Sequence, residues 1–202
     1  MLTLDDLKRR LLNACDELRS HKEELSEIDA KFGDADHGYT MAKIADEMAK
    51  AINENPGDLK TLLDDCAMSI ITINGGSAVP LWNIWMDALK EKANESVEME
   101  DKDVQEMFRY ALEELSDFSG AKVGDKTMMD AMIPATEAIV NATGDINDIF
   151  KAGAKAASDG AEATKNMKSK FGRAKMFGDK TLGTPDCGAL SCSYFFVGLA
   201  KD

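Results

Sequence analysis

Residues 37–57 read HGYTMAKIADEMAKAINENPG. Apolar residues recur in this stretch at steps of three and four, the spacing that gathers them on one face of an α-helix. The recurring residues are Met41, Ile44, Ala45, Met48, Ala49 and Ile52. The pattern ends at NENPG, where asparagine, proline and glycine are typical of a helix terminus. The stretch therefore predicts one amphipathic helix with a sharp C-terminal boundary.

The same helical period recurs along most of the chain. It predicts further helices over residues 4–15, 59–73, 81–93, 104–115, 126–140, 146–167 and 188–200. Pro80 stands near the first turn of one of them, where a missing N–H costs little. Eight helices joined by mostly short loops favour an all-α bundle or closed barrel with antiparallel neighbours. A length of 202 residues is most simply one domain, residues 1–202.

The charge of the chain argues against nucleic acids and anionic membranes as binding partners. The chain has 24 basic and 37 acidic residues, a formal charge of −13. Nucleic acids and anionic membranes attract basic faces, so neither is expected as a partner. No apolar run approaches the roughly 18 residues of a membrane span, and the acidic N-terminus differs from a signal peptide. We expect a cytoplasmic protein whose four cysteines, which form no CxxC pair, are reduced and mostly buried.

Three aspartates precede the helix predicted to start near residue 37. Asp29, Asp34 and Asp36 fall within eight residues, and residues 33–41 read GDADHGYTM. Carboxylate oxygens suit Mg²⁺, and glycines allow a tight turn and close approach to a phosphate. Any one aspartate before a helix is more often an N-cap. An EF-hand is excluded because Lys31 and Gly38 stand where its ligands belong. The density of like charges favours a metal site.

Three other helix starts carry glycine: residues 75–77, 120–128 and 186–188. Singly, each is more simply a capped helix, but loops before alternate helices gather at one end of an up-and-down bundle. These helix starts and the loop that carries the three aspartates are therefore predicted to face one ligand. His37 would donate a hydrogen bond to a phosphate, and Met128 would lie near the nucleotide base. Residues 168–185, hereafter the cover segment, are predicted to be either a solvated basic face or a cover over a nucleotide, with Arg173 supplying delocalised charge.

These motifs together resemble the DhaL family, the nucleotide-binding subunits of bacterial dihydroxyacetone kinases, which have a DAK2-type domain. The resemblance rests on residues 29–41, 75–81, 124–128, 172–174 and 186–189 and extends over almost the full length. It implies a barrel of eight antiparallel helices with the nucleotide at one end. It also implies that Asp29, Asp34 and Asp36 hold two Mg²⁺ ions bridging the phosphates of ADP or ATP.

The resemblance further implies which residues surround the nucleotide. The implied contacts are His37, Gly38, Tyr39, Thr40, Ser77, Ala78, Gly120, Met128, Arg173, Asp186, Cys187 and Gly188. The chain departs from the family pattern at Val79, where glycine is common, and at Cys187, where proline is common. Both departures bear on the fine phosphate contacts and on the identity of the sugar, and neither touches the carboxylates.

The resemblance implies an enzyme that works with partners. A DhaK-like subunit would hold dihydroxyacetone or another small ketose, and a DhaM-like phosphohistidine subunit of the phosphotransferase system would recharge ADP. A chain of this length favours the multi-subunit form, with a homodimer as one option. Three alternatives stay open: an ADP-sensing regulatory module, an ATP-dependent kinase subunit for a different ketose, and a helical bundle that binds metal without nucleotide.

Overall fold

The computed structural model describes residues 1–55 and 57–201. Pro56, which belongs to the predicted NENPG terminus, and Asp202 lie outside this part. Within it the chain forms nine α-helices: α1 (Leu4–Ser20), α2 (Lys22–Asp29), α3 (His37–Glu54), α4 (Leu59–Ile71), α5 (Ala78–Lys92), α6 (Asp101–Ser119), α7 (Met129–Asn141), α8 (Ile146–Ala163) and α9 (Cys187–Leu199). Short 3₁₀ segments span Thr164–Asn166 and Arg173–Thr181. A two-residue antiparallel ribbon pairs β1 (Leu2–Thr3) with β2 (Glu98–Met99).

Eight of these helices close into a ring. α1 packs on α3, and α3 to α9 each pack on the next helix in the chain until α9 returns to α1. The short helix α2 lies outside the ring, against α3 and α9. The all-α barrel predicted from the helical period is therefore confirmed.

Several helices begin at residues whose side chains satisfy free backbone amides. Thr3 accepts the N–H of Asp6 before α1, and Asp58 and Asp145 form capping boxes before α4 and α8. Such caps are worth about 1 kcal/mol each because the first amides of a helix have no intrahelical acceptor. These three helix starts are therefore encoded locally, and the predicted starts at residues 4, 59 and 146 agree with them.

The barrel interior is filled by aromatic side chains. Trp82 and Trp85 are 1% and 0% exposed, and the ring centroids of Trp85 and Phe195 lie 5.6 Å apart. Phe108, Phe150 and Phe196 complete the cluster. Both tryptophans thus pack in the core. Cys15, Cys66 and Cys192 are free and buried, while Cys187 is half-buried.

The structure differs from the sequence prediction in one additional helix and in several bounds: α1 continues to Ser20, α5 begins at Ala78, and α6 spans Asp101–Ser119. Helix α2 was not predicted, because its sequence KEELSEID buries only Leu25 and Ser26 and has no apolar stripe. α7 begins at Met129 instead of residue 126, since Lys126 has a left-handed backbone with φ 61°. α8 ends at Ala163, before a 3₁₀ turn.

The loops before α3, α5, α7 and α9 meet at one end of the barrel, where they line one cavity. This gathering follows from antiparallel packing, since alternate connections return to the same end. Among the described residues, no helix combines the length and the apolar character that a membrane span requires.

Candidate functional site

Three carboxylates converge where α2 ends and α3 begins. Asp29 is the last residue of α2, and Asp36 directly precedes α3. One ligand oxygen from each of Asp29, Asp34 and Asp36 lies within 4.8 Å of the others. Between the last two stands Ala35, whose φ of 65° is unusual for a residue with a side chain. That strained turn aims neighbouring carboxylates at one point, and such strain is common at functional sites.

The turn also requires a glycine. A Cβ at Gly33 would lie 2.1 Å from Oδ1 of Asp29, so a side chain there would displace a carboxylate of the cluster. Oδ2 of Asp29 accepts the backbone N–H of Asp36 at 3.1 Å and that of His37 at 3.4 Å. One carboxylate oxygen thus caps the start of α3, and the other faces Gly33.

The electrostatics of the cluster fit a bound cation. Burial, followed by the charges of Asp34 and Asp29, raises the pKa of Asp36. The guanidinium of Arg173 forms an ion pair with Asp34 and holds the pKa of that carboxyl below its usual value. Crowded carboxylates repel one another unless a cation neutralises them, and an all-oxygen donor set suits Mg²⁺. The three aspartates therefore fit the predicted metal.

A cavity of about 710 Å³ opens beside the carboxylates. This volume is within the roughly 300–1,000 Å³ of small-molecule sites. The carboxylates line one part of it, and Leu81, Trp82, Phe118 and Met128 add apolar surface. Arg173 and the neighbouring residues 171–174 of the cover segment also line it. The cavity thus combines an anionic, cation-binding part with apolar walls.

Most of the predicted contact residues line this cavity. They are Asp29, Asp34, Asp36, His37, Thr40, Ser77, Ala78, Met128, Arg173, Asp186, Cys187 and Gly188. Gly38, Tyr39 and Gly120 are not among its lining residues. Gly38 and Tyr39 belong to the first turn of α3, whose first amide, that of His37, donates to Asp29. Gly120 ends α6 with φ 65° and adjoins Ser119 and Ala121, which do line the cavity.

The side chain of His37 is anchored to α9. Its Nε2 atom lies 3.1 Å from Oγ of Ser191. Burial lowers the pKa of the imidazole, so the ring is neutral near pH 7. A neutral imidazole has one N–H to donate, which limits His37 to a single hydrogen bond as a donor.

Sequence reasoning missed two buried charged residues beside the cavity. Lys126 is 4% exposed, and Asp130 is 1% exposed. The carboxylate of Asp130 accepts the N–H groups of Gly124 and Thr127 at 2.6 and 2.7 Å. Lys126 lies in the segment 124–128 that carries the family resemblance, and Asp130 lies just after it. Both were assigned to a helix predicted to begin at residue 126, so neither was expected to bind the loop. The sequence did offer one signal, since Asp130 is a charged residue within the mostly apolar pattern of that predicted helix.

Asp186 predicts a pH dependence of stability. It caps α9 by accepting the N–H of Ala189 at 2.8 Å, and burial raises its pKa from 3.8 to about 7. Its stabilising contribution is thus fully present below about pH 4 and is lost as pH rises through 7. Asp186→Asn keeps the cap and removes the titration. The free energy of unfolding of the variant minus that of the wild type should therefore increase by on the order of 2 kcal/mol from about pH 4 to pH 8.

Urea denaturation of the nucleotide-free proteins across that pH range measures this difference. Subtracting the variant's profile from that of the wild type cancels every other titrating group. Parallel profiles would show that the carboxyl of Asp186 titrates in the folded protein as it does in the unfolded chain.

Comparison with known proteins relates this site to a family. A family model described as the DAK2 domain matches residues 31–201. The D-erythrulose kinase of Mycolicibacterium smegmatis is 33% identical over 86% of this chain and 31% of its own length. The ADP-binding subunit DhaL of the PTS-dependent dihydroxyacetone kinase of Lactococcus lactis is 30% identical over 100% of this chain and 98% of its own.

A solved structure has the same fold. The dihydroxyacetone kinase of C. freundii in complex with AMP-PNP and Mg²⁺ superposes with a TM-score of 0.74 at 27% identity. The match covers 96% of this chain and 33% of that one. The chain likewise spans about a third of the length of the erythrulose kinases that it matches.

Proposed function

Since the chain belongs to the DAK2-domain family, we propose that it carries the nucleotide in a kinase system for dihydroxyacetone or a related small ketose. It binds Mg²⁺ with ADP or ATP and passes a phosphoryl group to a sugar held on a DhaK-like partner. The observation that carries this proposal is the convergence of Asp29, Asp34 and Asp36 at the mouth of a cavity of nucleotide size.

The proposal assigns the metal to these carboxylates. Asp29, Asp34 and Asp36 would hold two Mg²⁺ ions, which when bound neutralise phosphate charge and stabilise the transferring group. An acidic chain of charge −13 otherwise repels a nucleotide. The cover segment places Arg173 in the lining of the same cavity, and its charge offsets the field locally.

The remaining residues position the nucleotide. The amides of Gly38 and Tyr39 in the first turn of α3 suit phosphate oxygens, because helix N-termini favour anions. Ser77 and Ala78 line the cavity at the start of α5. Met128, Gly120 and residues 186–188 would surround the nucleoside. Catalysis in this scheme consists of positioning and charge neutralisation, with the acceptor hydroxyl supplied from the partner.

The mouth of the cavity suits a docked partner. Phe171, Phe177 and Met176 are 41%, 42% and 87% exposed along the cover segment. Exposed apolar groups beside basic side chains are typical of a protein interaction site. A DhaM-like phosphohistidine subunit would recharge ADP at the same mouth. The names of several relatives, PTS-dependent or PEP-dependent, support this donor.

Reconstitution tests the proposal. The purified chain is mixed with a DhaK-like subunit, Mg²⁺ and dihydroxyacetone, D-erythrulose or L-erythrulose. The donor is either ATP or a phosphohistidine relay driven by phosphoenolpyruvate. Sugar phosphate formed only when all components are present is the expected result. Erythrulose is included because two erythrulose kinases are 33% identical to this chain.

The same preparation separates the alternatives. Mass spectrometry of the denatured protein should detect bound adenine nucleotide, and none after dialysis against ADP and Mg²⁺ would favour a metal site without nucleotide. Tight binding of Mg·ADP with no sugar phosphate from any donor would favour an ADP-sensing module.

A further inference from the structure

The ammonium of Lys126 is enclosed by backbone carbonyls. Nζ donates to the carbonyl oxygens of Thr164 at 2.9 Å, Met167 at 3.2 Å, Thr181 at 2.6 Å and Thr184 at 2.5 Å. Thr164 and Met167 lie within four residues before the cover segment, and Thr181 and Thr184 lie near its C-terminal end. One side chain from the loop before α7 therefore joins both ends of the cover segment.

This arrangement is a cage for a cation. An ammonium has three N–H groups, so four acceptors must share them, and the carbonyl dipoles together solvate the charge. Burial lowers the pKa of Lys126, while the charges of Asp186 and Asp130 raise it. The carbonyls in turn gain from the cation, because a buried carbonyl without a donor costs free energy, although the carbonyl of Thr164 also accepts the N–H of Met167. Removing the charge would leave four carbonyls without this donor.

The loop that presents Lys126 is itself fixed. Lys126 has a left-handed backbone, and the amides of Gly124 and Thr127 on either side bind the carboxylate of Asp130. A second contact reinforces the first, since Lys170 donates its backbone N–H to the carbonyl of Asp125 at 3.1 Å and its Nζ to Oδ1 at 2.8 Å. The loop before α7 thus holds the cover segment near both of its ends.

The cover segment connects this cage to the site. Its Arg173 pairs with Asp34 of the carboxylate cluster, and its Phe177 ring lies 5.3 Å from the ring of Phe32. Lys126 borders the cavity as well. A segment held only by exposed contacts such as these would be mobile, because exposed ion pairs contribute little.

We propose that Lys126 is a positioning residue whose buried ammonium, caged by four carbonyls, fixes the cover segment over the nucleotide cavity. It acts through the segment and places Arg173 beside the metal and phosphate positions. The consequence for nucleotide affinity rests on the proposed function. The effect of Lys126 on the order of the cover segment does not depend on the proposed function.

Hydrogen exchange of the nucleotide-free protein tests the cage directly. In Lys126→Met, amides of residues 164–185 should exchange at least about tenfold faster, because charge-assisted hydrogen bonds are lost. Amides of α1 and α5 should keep their wild-type rates. The control is Lys122→Met, an exposed lysine of the same loop, which should exchange like wild type throughout. Wild-type rates at residues 164–185 in Lys126→Met would overturn the proposal.

Chemical rescue distinguishes a cation cage from simple packing. Lys126→Ala removes the atoms that propylammonium would replace, so propylammonium chloride should slow the exchange of residues 164–185 again. Propan-1-ol and an equal concentration of sodium chloride should not. Restoration by propan-1-ol equal to that by the amine would show that volume alone matters and would overturn the cage.

Two further measurements keep the result interpretable. If Lys126→Met does not fold, Lys126→Arg replaces it, and faster exchange confined to residues 164–185 is again expected, since a planar guanidinium cannot serve four converging carbonyls. Wild-type exchange in that variant overturns the proposal. By calorimetry, Mg·ADP should bind folded variants about tenfold or more weakly. If wild type itself binds no Mg·ADP, the proposed function fails while the exchange result still decides the cage.

Discussion

Asp34→Asn is expected to weaken Mg²⁺-dependent ADP binding by roughly 100-fold or more, since loss of a metal ligand costs at least as much as loss of its outer-shell support. Asp34 is half-exposed and makes its ion pair with Arg173, so its neutralisation leaves the barrel intact. The amide keeps the shape of the side chain and loses the negative charge that binds Mg²⁺. The effect should vanish when ADP is titrated without divalent metal, because only metal-linked binding depends on the carboxylate.

Calorimetry with and without Mg²⁺ measures this linkage, and a thermal melt checks the fold. The matched control is Asp159→Asn, an exposed aspartate of α8 that pairs with Lys155. It removes the same charge from the chain without touching the cluster. An Asp34→Asn protein with wild-type Mg·ADP affinity would refute the metal assignment, while equal losses in both variants would point to net charge as the cause.

The convergence of the three carboxylates was predictable because the aspartates are close in sequence. Asp29, Asp34 and Asp36 lie within one turn between α2 and α3, so their mutual repulsion is visible without a fold. The barrel was predictable for a similar reason, since most of its helices carry an apolar stripe of their own and α1, α4, α8 and α9 begin at a capping side chain. The gathering of four loops followed from antiparallel alternation alone. In each case a local pattern was sufficient.

What could not be predicted depends on distant or backbone groups. The cage of Lys126 consists of carbonyls, which every residue possesses, so no sequence pattern marks it. The pairing of Arg173 with Asp34 joins residues far apart in the chain and exists only after closure of the ring. Helix α2 has a polar sequence and is held by packing against α3 and α9. Ser77 and Asp186 were identified by family resemblance, since their own motifs favoured simple helix starts.

Helix α2 also explains why Gly38 is glycine. A Cβ at Gly38 would lie 1.9 Å from the carbonyl oxygen of Lys22 and 2.5 Å from Oγ of Ser26. The first of these is a backbone atom, so no rotamer change relieves the overlap and α2 must shift. Since α2 ends at Asp29, that shift moves a predicted metal ligand. The family resemblance alone implies another role, a phosphate contact, which the backbone N–H of an alanine could make equally well.

Gly38→Ala is therefore expected to lower the free energy of unfolding by about 1–3 kcal/mol, the usual cost of overpacking, and to weaken Mg·ADP binding about tenfold or more. Gly76→Ala is the control, because it also lines the cavity and its Cβ would meet no atom within 4 Å. Urea denaturation and calorimetry on both variants separate the two roles of Gly38. A stable Gly38→Ala protein with wild-type affinity would show that α2 yields without moving Asp29 and that the close contact is incidental to the site. Loss of stability and affinity together, with Gly76→Ala unchanged, would show that α2 positions the metal ligand through its contact with the start of α3.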